Sequence, residues 1–349
     1  MGIVSKHCIH LCDTVRFALT KLNSIAPDSI LFIVDDQFKL IGSLTDGDLR
    51  RGFINNLGFE DSLLSFIQKN PVSISLKDYT LEQIEDYKKR NFKIIPILDE
   101  TGSIVDILNF RNQLTIIPAD AVLMAGGEGK RLLPLTQSTP KPLLKVGNKP
   151  IIEYNVDRFL QYGIKNINIS INYLGDQLVN YFGDGSKKGA KINYTREKQP
   201  LGTIGSILLI KDFKFDDILV MNSDILTNID LEDFYNEYKS SGADMAIAAT
   251  SYHMDVPYAV LEVNDANEVT SLKEKPRYTY YSNAGIYILK KELLKLIPLN
   301  EFYDITDLMV EILKQGKKML TYPITGYWLD IGKHDDFKKA QEDIKHIKF

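Results

Sequence analysis

Apolar strand-like runs alternating with helical patterns predict an α/β protein whose larger, carboxyl-terminal part carries a mixed, mostly parallel sheet. A smaller module made of two similar α/β units precedes it. Three observations carry this prediction. The runs 121–124, 167–171, 218–221 and 246–250 read as buried strands, separated by helical patterns such as 201–210 and 231–240. Such alternation implies parallel strands with crossover helices and ligands at the carboxyl ends of the strands. The first 115 or so residues contain a weak duplication. Finally, a glycine-rich turn follows the run 121–124 directly.

In chain order, the segments 30–35 and 40–44 read as two strands, and the pattern recurs at 94–99 and 104–108 with a turn at 100–102 between them. A helical pattern precedes each copy, at 14–22 and 80–90. A repeat of this size predicts two units, about 1–58 and 59–115, that bury their sheets against each other. Pro118 marks the boundary to a second domain over 119–349.

The composition bounds the function. The chain has 349 residues, enough for two cores, with 44% hydrophobic residues and a formal charge of −4. That charge and the absence of a long basic run argue against a nucleic-acid partner. No apolar stretch reaches the length needed to span a bilayer, so no membrane partner is expected. The opening residues lack the apolar segment of a signal peptide, which predicts a cytoplasmic protein. The two cysteines, Cys8 and Cys12, lie beside His7 and His10, but a closed zinc site wants a second pair, and the sequence has none. They read as buried small hydrophobes.

The turn after 121–124 is the richest in chemistry. Met124 and Ala125 end the strand, and Gly126, Gly127 and Gly129 let the backbone turn sharply and approach a ligand closely. Free amides in such a turn cradle an anion, to which Lys130, Arg131 and Lys141 add three positive charges. The spacing is neither a Walker loop nor G-x-G-x-x-G. It predicts a polyphosphate site.

The full string G-G-x-G-x-R-L-x-P-L-T, followed by P-K-P at 140–142, resembles the motif of sugar-1-phosphate nucleotidyltransferases. That resemblance covers about 119–349 and implies a Rossmann-like, GT-A-like domain. It also implies transfer of a nucleotidyl group from a nucleoside triphosphate to a sugar 1-phosphate. Positioning and electrostatics would supply most of the rate of such a transfer. By resemblance Arg131 takes the β- and γ-phosphates, for which its planar fork is suited, and Lys141 the transferring α-phosphate. Asp224 and Asp330 each follow an apolar run and match the family's metal-binding aspartates. A hard ion such as Mg²⁺ needs only one or two carboxylates beside water and phosphates.

Segment 197–203, reading E-K-Q-P-L-G-T, resembles the family loop that lines nucleoside and sugar, with Glu197, Gly202 and Thr203 as its candidates. Glu274 and Lys275 resemble the pair that holds the sugar hydroxyls and phosphate, and Asn283 and Gly285 a loop that closes on the sugar. Ser223 departs from the glycine that many relatives carry there.

In the amino-terminal part, the string L-I-G-S-L-T-D-G-D-L-R-R at 40–51 resembles a cystathionine-β-synthase (CBS) domain, and the pair a tandem CBS (Bateman) module. The resemblance implies a regulatory or oligomerising role, hence a homo-oligomer, and an adenine nucleotide held by Thr45 and Asp48. An ordinary helix cap is an equal reading of those two residues. The second copy carries Asn109 and Asn112 instead. The pairing of this module with the transferase resembles amino-sugar guanylyltransferases, with GTP and glucosamine 1-phosphate as substrates. Mannose-1-phosphate guanylyl, uridylyl or thymidylyl transfer, and a non-catalytic nucleotide sensor, stay open at this point.

Overall fold

In a computed structural model, the structure describes residues 3–197, 199–347 and 349. The chain divides into two compact units. The first comprises Met1–Ile117, Leu160–Gly163 and Ser186–Gly189, and the second Pro118–Phe159, Ile164–Gly185 and Ala190–Phe349.

In the first unit, a four-stranded sheet takes Cys8–His10, Ile30–Val34, Leu40–Thr45 and Gln68–Lys69 in that order. A three-stranded sheet takes Ile74–Ser75, Ile94–Leu98 and Ile104–Asn109. Helix Val15–Ser24 starts at Thr14, whose side chain accepts from the Phe17 amide, and turns Val15, Ala18 and Leu22 onto Leu31, Ile33 and Leu44. Helix Leu81–Lys89 starts at a capping box of Thr80 and Gln83 and buries Ile84 among Ile95, Ile97 and Leu108. Phe32 and Val34 of one sheet share a third cluster with Ile94, Ile104 and Ile107 of the other.

The two copies end differently. After Leu40–Thr45, helix Asp46–Ile54 follows from a capping box of Thr45 and Asp48. After Ile104–Asn109, Asn109 Oδ1 accepts from the Arg111 amide at 3.0 Å while its Nδ2 donates to Asp28 at 2.9 Å. The chain turns there, with no helix at 110–117. A short amide side chain that bonds two residues on makes a turn where a reciprocal cap would start a helix. His7 and Cys8 are buried and Cys12 is exposed. Among the described residues no three His, Cys, Asp or Glu side chains gather as metal ligands.

The second unit is built on a seven-stranded sheet. Its order is Lys191–Arg196, Asn166–Ile171, Ala119–Ala125, Asp217–Asn222, Arg277–Lys290, Met245–Asp255, Met319–Pro323. Only Arg277–Lys290 runs against its neighbours; the other pairings are parallel. The sheet is therefore mixed and mostly parallel, as the alternating pattern predicts. All six residues of Asn166–Ile171 are buried, two asparagines and a serine among them, because the strand lies inside the sheet. Val122, Ile218, Val220, Met245 and Leu289 form one core with Ile305, Leu308 and Ile312 of helix Ile305–Lys314. A separate pair of short strands, Ile225–Thr227 and Trp328–Asp330, continues beyond Asn222.

One expected helix is absent. Segment 201–210 forms only the 3₁₀ turn Gly205–Leu209. Leu201, Ile204 and Ile207 are buried as the periodicity suggested. Gly202 at φ +76° and Gly205, where a Cβ would stand 3.0 Å from the Glu301 carbonyl oxygen, instead hold the segment in a loop. None of the described helices is long and apolar enough to cross a membrane.

Candidate active site

The carboxyl ends of three neighbouring parallel strands, at Ala125, Ile171 and Asn222, open onto one cleft of about 630 Å³. Position follows from topology, since residues after parallel strands emerge on the same edge of the sheet. Met124, Gly126, Gly127, Gly129, Lys130, Arg131 and Lys141 line it, with Glu197, Gly202, Thr203 and Asp224. Ala125 ends the buried strand just behind them.

The glycine loop is held from beneath. Ser223 donates through both its amide and its hydroxyl to the Met124 carbonyl, at 3.2 and 2.7 Å, tying two strand ends together. The serine in place of glycine thus adds a bond to the loop's base. Gly129 sits at φ +64°, and a Cβ there would stand 3.0 Å from both Lys141 Cβ and Thr136 Cγ2. Thr136 Oγ1 donates to the Gly129 carbonyl at 2.9 Å and closes the turn. Lys130 pairs with Glu128 at 2.9 Å, both largely exposed. Arg131 is exposed beside Gly332, its Nη2 3.6 Å from where a Cβ would lie.

Lys141 and the two aspartates come together. Ile225 pairs with Asp330 across the short strands, which sets Asp224 and Asp330 side by side. The buried Lys141 Nζ bonds Asp224 Oδ2 and lies 4.0 Å from Asp330 Oδ1. The Asp330 carboxyl is raised above the usual carboxylate range by desolvation and by the neighbouring Asp224 charge, with Lys141 and Arg131 opposing. Two carboxylates thus share one close ammonium.

Glu197 lines the cleft but is largely buried, its carboxylate held by neighbouring donors. Ser170 donates to its Oε1 at 2.8 Å, and the Leu201 amide to its Oε2 at 3.3 Å. A Cβ on Gly126 would lie 3.1 Å from the same Oε1, so this carboxylate braces the glycine loop. Lys198 lies outside the described residues. Thr203 donates through its amide and hydroxyl to Asp304 Oδ1 and accepts from the Ile305 amide at 2.8 Å, which seats the loop on the start of helix Ile305–Lys314.

The remaining sugar candidates divide. Gly285, at φ +72°, packs against Asn222, where a Cβ would be 2.6 Å from Nδ2; Asn283 Oδ1 accepts from the Gly285 amide at 2.9 Å. Glu274 and Lys275 stand apart from the cleft lining, exposed in the turn between Val269–Lys273 and Arg277–Lys290, with Lys275 at φ +43°. Asn172, Tyr173, Asn222, Phe302 and Asp304 also line the cleft and were missed from sequence. Only Asp304 left a readable trace, as the D-x-x-D start of an apolar helix. In the first unit, Thr45 and Asp48 form a closed cap. Asp48 Oδ2 accepts from Thr45 N and Oγ1, and Oδ1 from Arg51 and Gln68.

A mixed sheet with a glycine loop, an ammonium and paired carboxylates at its strand ends defines a phosphate-handling α/β domain. The chain belongs to the nucleotidyl transferase family, matched over residues 120–347. Over 224 residues it is 31% identical to a mannose-1-phosphate guanyltransferase of Debaryomyces hansenii, a stretch covering 62% of each chain. Over 230 residues it is 30% identical to the bifunctional protein GlmU of Methanocaldococcus jannaschii, covering 64% of this chain and 53% of that one. The match thus spans less than two thirds of the length of these curated relatives. Among solved structures, one bearing the name of a glucose-1-phosphate thymidylyltransferase from Bacillus anthracis, in complex with a sucrose, superposes with a TM-score of 0.53. It shares 25% identity over 66% of this chain and 97% of that chain.

Proposed function

We propose that this protein joins a nucleoside triphosphate to a sugar 1-phosphate, giving a nucleotide sugar and pyrophosphate. The observation that carries the reading is the meeting of Lys141 with Asp224 and Asp330 beside the glycine loop. An oxygen of the sugar phosphate attacks the α-phosphorus, the bond from that phosphorus to the α,β-bridging oxygen breaks, and pyrophosphate departs with the bridging oxygen. The loop amides at 126–129 and Arg131 hold the β- and γ-phosphates, and Lys141 takes charge developing on the α-phosphate. Asn283 and Gly285, beside Asn222, are assigned to the sugar, with Glu274 and Lys275 of the exposed turn as its outer contacts.

The donor set fits a divalent cation. Asp224 and Asp330 are hard oxygen donors with only one close ammonium between them, and a Mg²⁺ ion completes its shell from water and phosphates. Bound there, it would neutralise phosphate charge.

We assign GTP and glucosamine 1-phosphate as the substrates, for the nucleotide sugar of bacterial legionaminic-acid synthesis. The amino-terminal unit is assigned as a tandem CBS module that takes one adenine nucleotide near Thr45 and Asp48. Its support is the strand, helix, two strands, helix order of the first copy. A matrix of GTP, UTP, dTTP and ATP against several sugar 1-phosphates, read by pyrophosphate release, tests the reaction. Turnover is expected to be highest with GTP and glucosamine 1-phosphate, and abolished in the Asp224→Ala/Asp330→Ala double variant. Preference for UTP or dTTP overturns the base, and release surviving the double substitution overturns the mechanism. Adenine nucleotides that leave the melting temperature unmoved overturn the regulatory site.

A further inference from the structure

The Arg131 side chain is exposed, so where its guanidinium stands is decided by the backbone that carries it. That backbone is the 3₁₀ turn Lys130–Leu132, closed by the Leu132 amide, which donates to the Gly129 carbonyl at 2.9 Å. Leu132 is buried in one cluster with Leu226, Leu329 and Ile331. Leu133 is 52% exposed, so its side chain gives the turn no second hold. A turn anchored by one buried side chain can still pivot about it.

The second hold comes from 201 positions away. His334 Nε2 lies 2.8 Å from the Leu133 carbonyl oxygen. A carbonyl oxygen can only accept, so Nε2 carries the hydrogen and His334 donates. The donor is itself fixed in place. His334 opens helix His334–Asp343, and Asp336 Oδ2 closes the start of that helix by accepting from the Gly332 amide at 3.2 Å and the Lys333 amide at 3.0 Å. The same turn leaves room for the guanidinium. A Cβ on Gly332 would lie 3.6 Å from both Arg131 Nη2 and Asp336 Oδ2.

Just upstream, this stretch of chain carries Asp330, set beside Asp224 by its pairing with Ile225. The bond from His334 to Leu133 therefore joins the element that places Asp330 to the turn that places Arg131. A phosphate chain lying between them feels any slack in that joint, because catalytic positioning is sensitive to displacements of about 1 Å.

Taking the glycine loop as the triphosphate site proposed above, on which this rests, we infer that His334 is a positioning residue. By holding the Leu133 carbonyl it fixes where Arg131 stands relative to Asp224 and Asp330, and so how the β- and γ-phosphates are gripped. It touches neither substrate.

A substitution series in the full chain tests this, read by calorimetric binding in the presence of Mg²⁺. The ligands are whichever of GTP, UTP, dTTP and ATP the wild-type chain binds most tightly, and the monophosphate of that nucleoside. His334→Ala weakens the triphosphate on the order of 3- to 10-fold, the worth of one hydrogen bond, and leaves the monophosphate unmoved because it lacks the β- and γ-phosphates. His334→Gln restores the triphosphate, since its amide nitrogen stands as many bonds from Cα as Nε2 does, whereas His334→Asn, one bond shorter, does not. Gln is neutral, so its rescue separates the hydrogen bond from any imidazolium charge. With Arg131→Ala already in place, His334→Ala adds nothing. Melting temperatures show that each variant folds. In turnover, KM for the triphosphate rises and KM for the sugar 1-phosphate does not.

Three results overturn the role of His334: an unchanged triphosphate affinity in His334→Ala, an equal loss for triphosphate and monophosphate, or losses that add in the double variant. A wild-type chain that binds a triphosphate yet releases no pyrophosphate overturns the reaction proposed above instead, and the binding ratio still decides the role of His334. A wild-type chain that binds none of the four overturns both.

Discussion

Gly202 is the residue on which the shape of the cleft wall depends, and replacing it by alanine has a calculable cost. Its φ of +76° is a conformation that costs an L-residue about 1–2 kcal/mol. The new Cβ would stand 2.5 Å from the Tyr303 carbonyl oxygen and 2.7 Å from its carbon, so the 303–304 backbone must move. That peptide is held in place. The Tyr303 amide donates to Leu201 O at 3.0 Å, and its carbonyl accepts from the Ile204 and Gly205 amides at 3.2 Å. Losing one or two of these bonds adds about 1 kcal/mol each.

The sum is about 3 kcal/mol, which for a unit of this size lowers the melting temperature by roughly 6–12 °C. Calorimetry of the unfolding of the larger unit reads the shift, and pyrophosphate release reads the cleft, since Thr203 and Asp304 move with the 303–304 backbone. Gly127→Ala is the paired control. Nothing lies within 4 Å of its Cβ position and its φ is not positive, so its melting temperature stays within that of a surface change, about ±0.5 kcal/mol. A Gly202→Ala protein melting within a degree of wild type would refute the reasoning.

Four further outcomes are expected. Ser170→Ala leaves the buried Glu197 carboxylate, among the described residues, with the Leu201 amide as its remaining hydrogen-bond donor and costs about 1.5–3 kcal/mol, seen as a lower denaturation midpoint; an unmoved midpoint contradicts it. Burial alone would raise the Asp48 carboxyl, but hydrogen bonds from Thr45, Gln68 and Arg51 outweigh it and hold the group below the usual range. A depressed folded pKa gives stability present above the unfolded value, about 3.9, and lost as pH falls through the folded one. The gap between wild type and Asp48→Asn in urea unfolding therefore closes below about pH 4, and a pH-independent gap refutes it. Cys8 is buried, with its thiol pushed up to about 11, while Cys12 is exposed, so a thiol reagent at neutral pH modifies one cysteine rapidly in the folded chain and both after unfolding. In chelator, the Asp224→Asn/Asp330→Asn variant binds nucleoside triphosphate more tightly than wild type while releasing no pyrophosphate; calorimetric binding that is weaker than wild type would count against the metal assignment.

What the sequence made legible follows from where each signal originates. Strands buried on both faces, such as Ala119–Ala125 and Asp217–Asn222, show as apolar runs because the burial is local to the run. The glycine loop was legible for the same reason: Gly129 needs its positive φ within its own turn. Segment 201–210 misled because its apolar spacing is real, yet the backbone is dictated by Tyr303, a hundred positions away. Glu197 is legible as a cleft residue, but that Ser170 of a neighbouring strand holds its carboxylate is not. That Met245–Asp255 runs on beyond Ala249 as a ribbon with Arg277–Lys290 was equally hidden, since alternating Tyr, Met and His say nothing about whether a third strand is present.

The electrostatics of the cleft tie these pieces into one argument. Lys141, Asp224 and Asp330 come from three separate stretches and meet only because Ala119–Ala125 and Asp217–Asn222 are parallel neighbours and the short strands after them pair. Desolvation first, and the Asp224 charge after it, raise the Asp330 carboxyl. The Lys141 ammonium and the Arg131 guanidinium oppose the two carboxylates, so the mouth of the glycine loop carries charges of both signs. A polyphosphate arriving with a divalent cation would bring those carboxylates a further counter-charge, which a bare polyphosphate would not. In the reading proposed above, Asp224 and Asp330 would hold such a cation, and Lys141 would serve the α-phosphate.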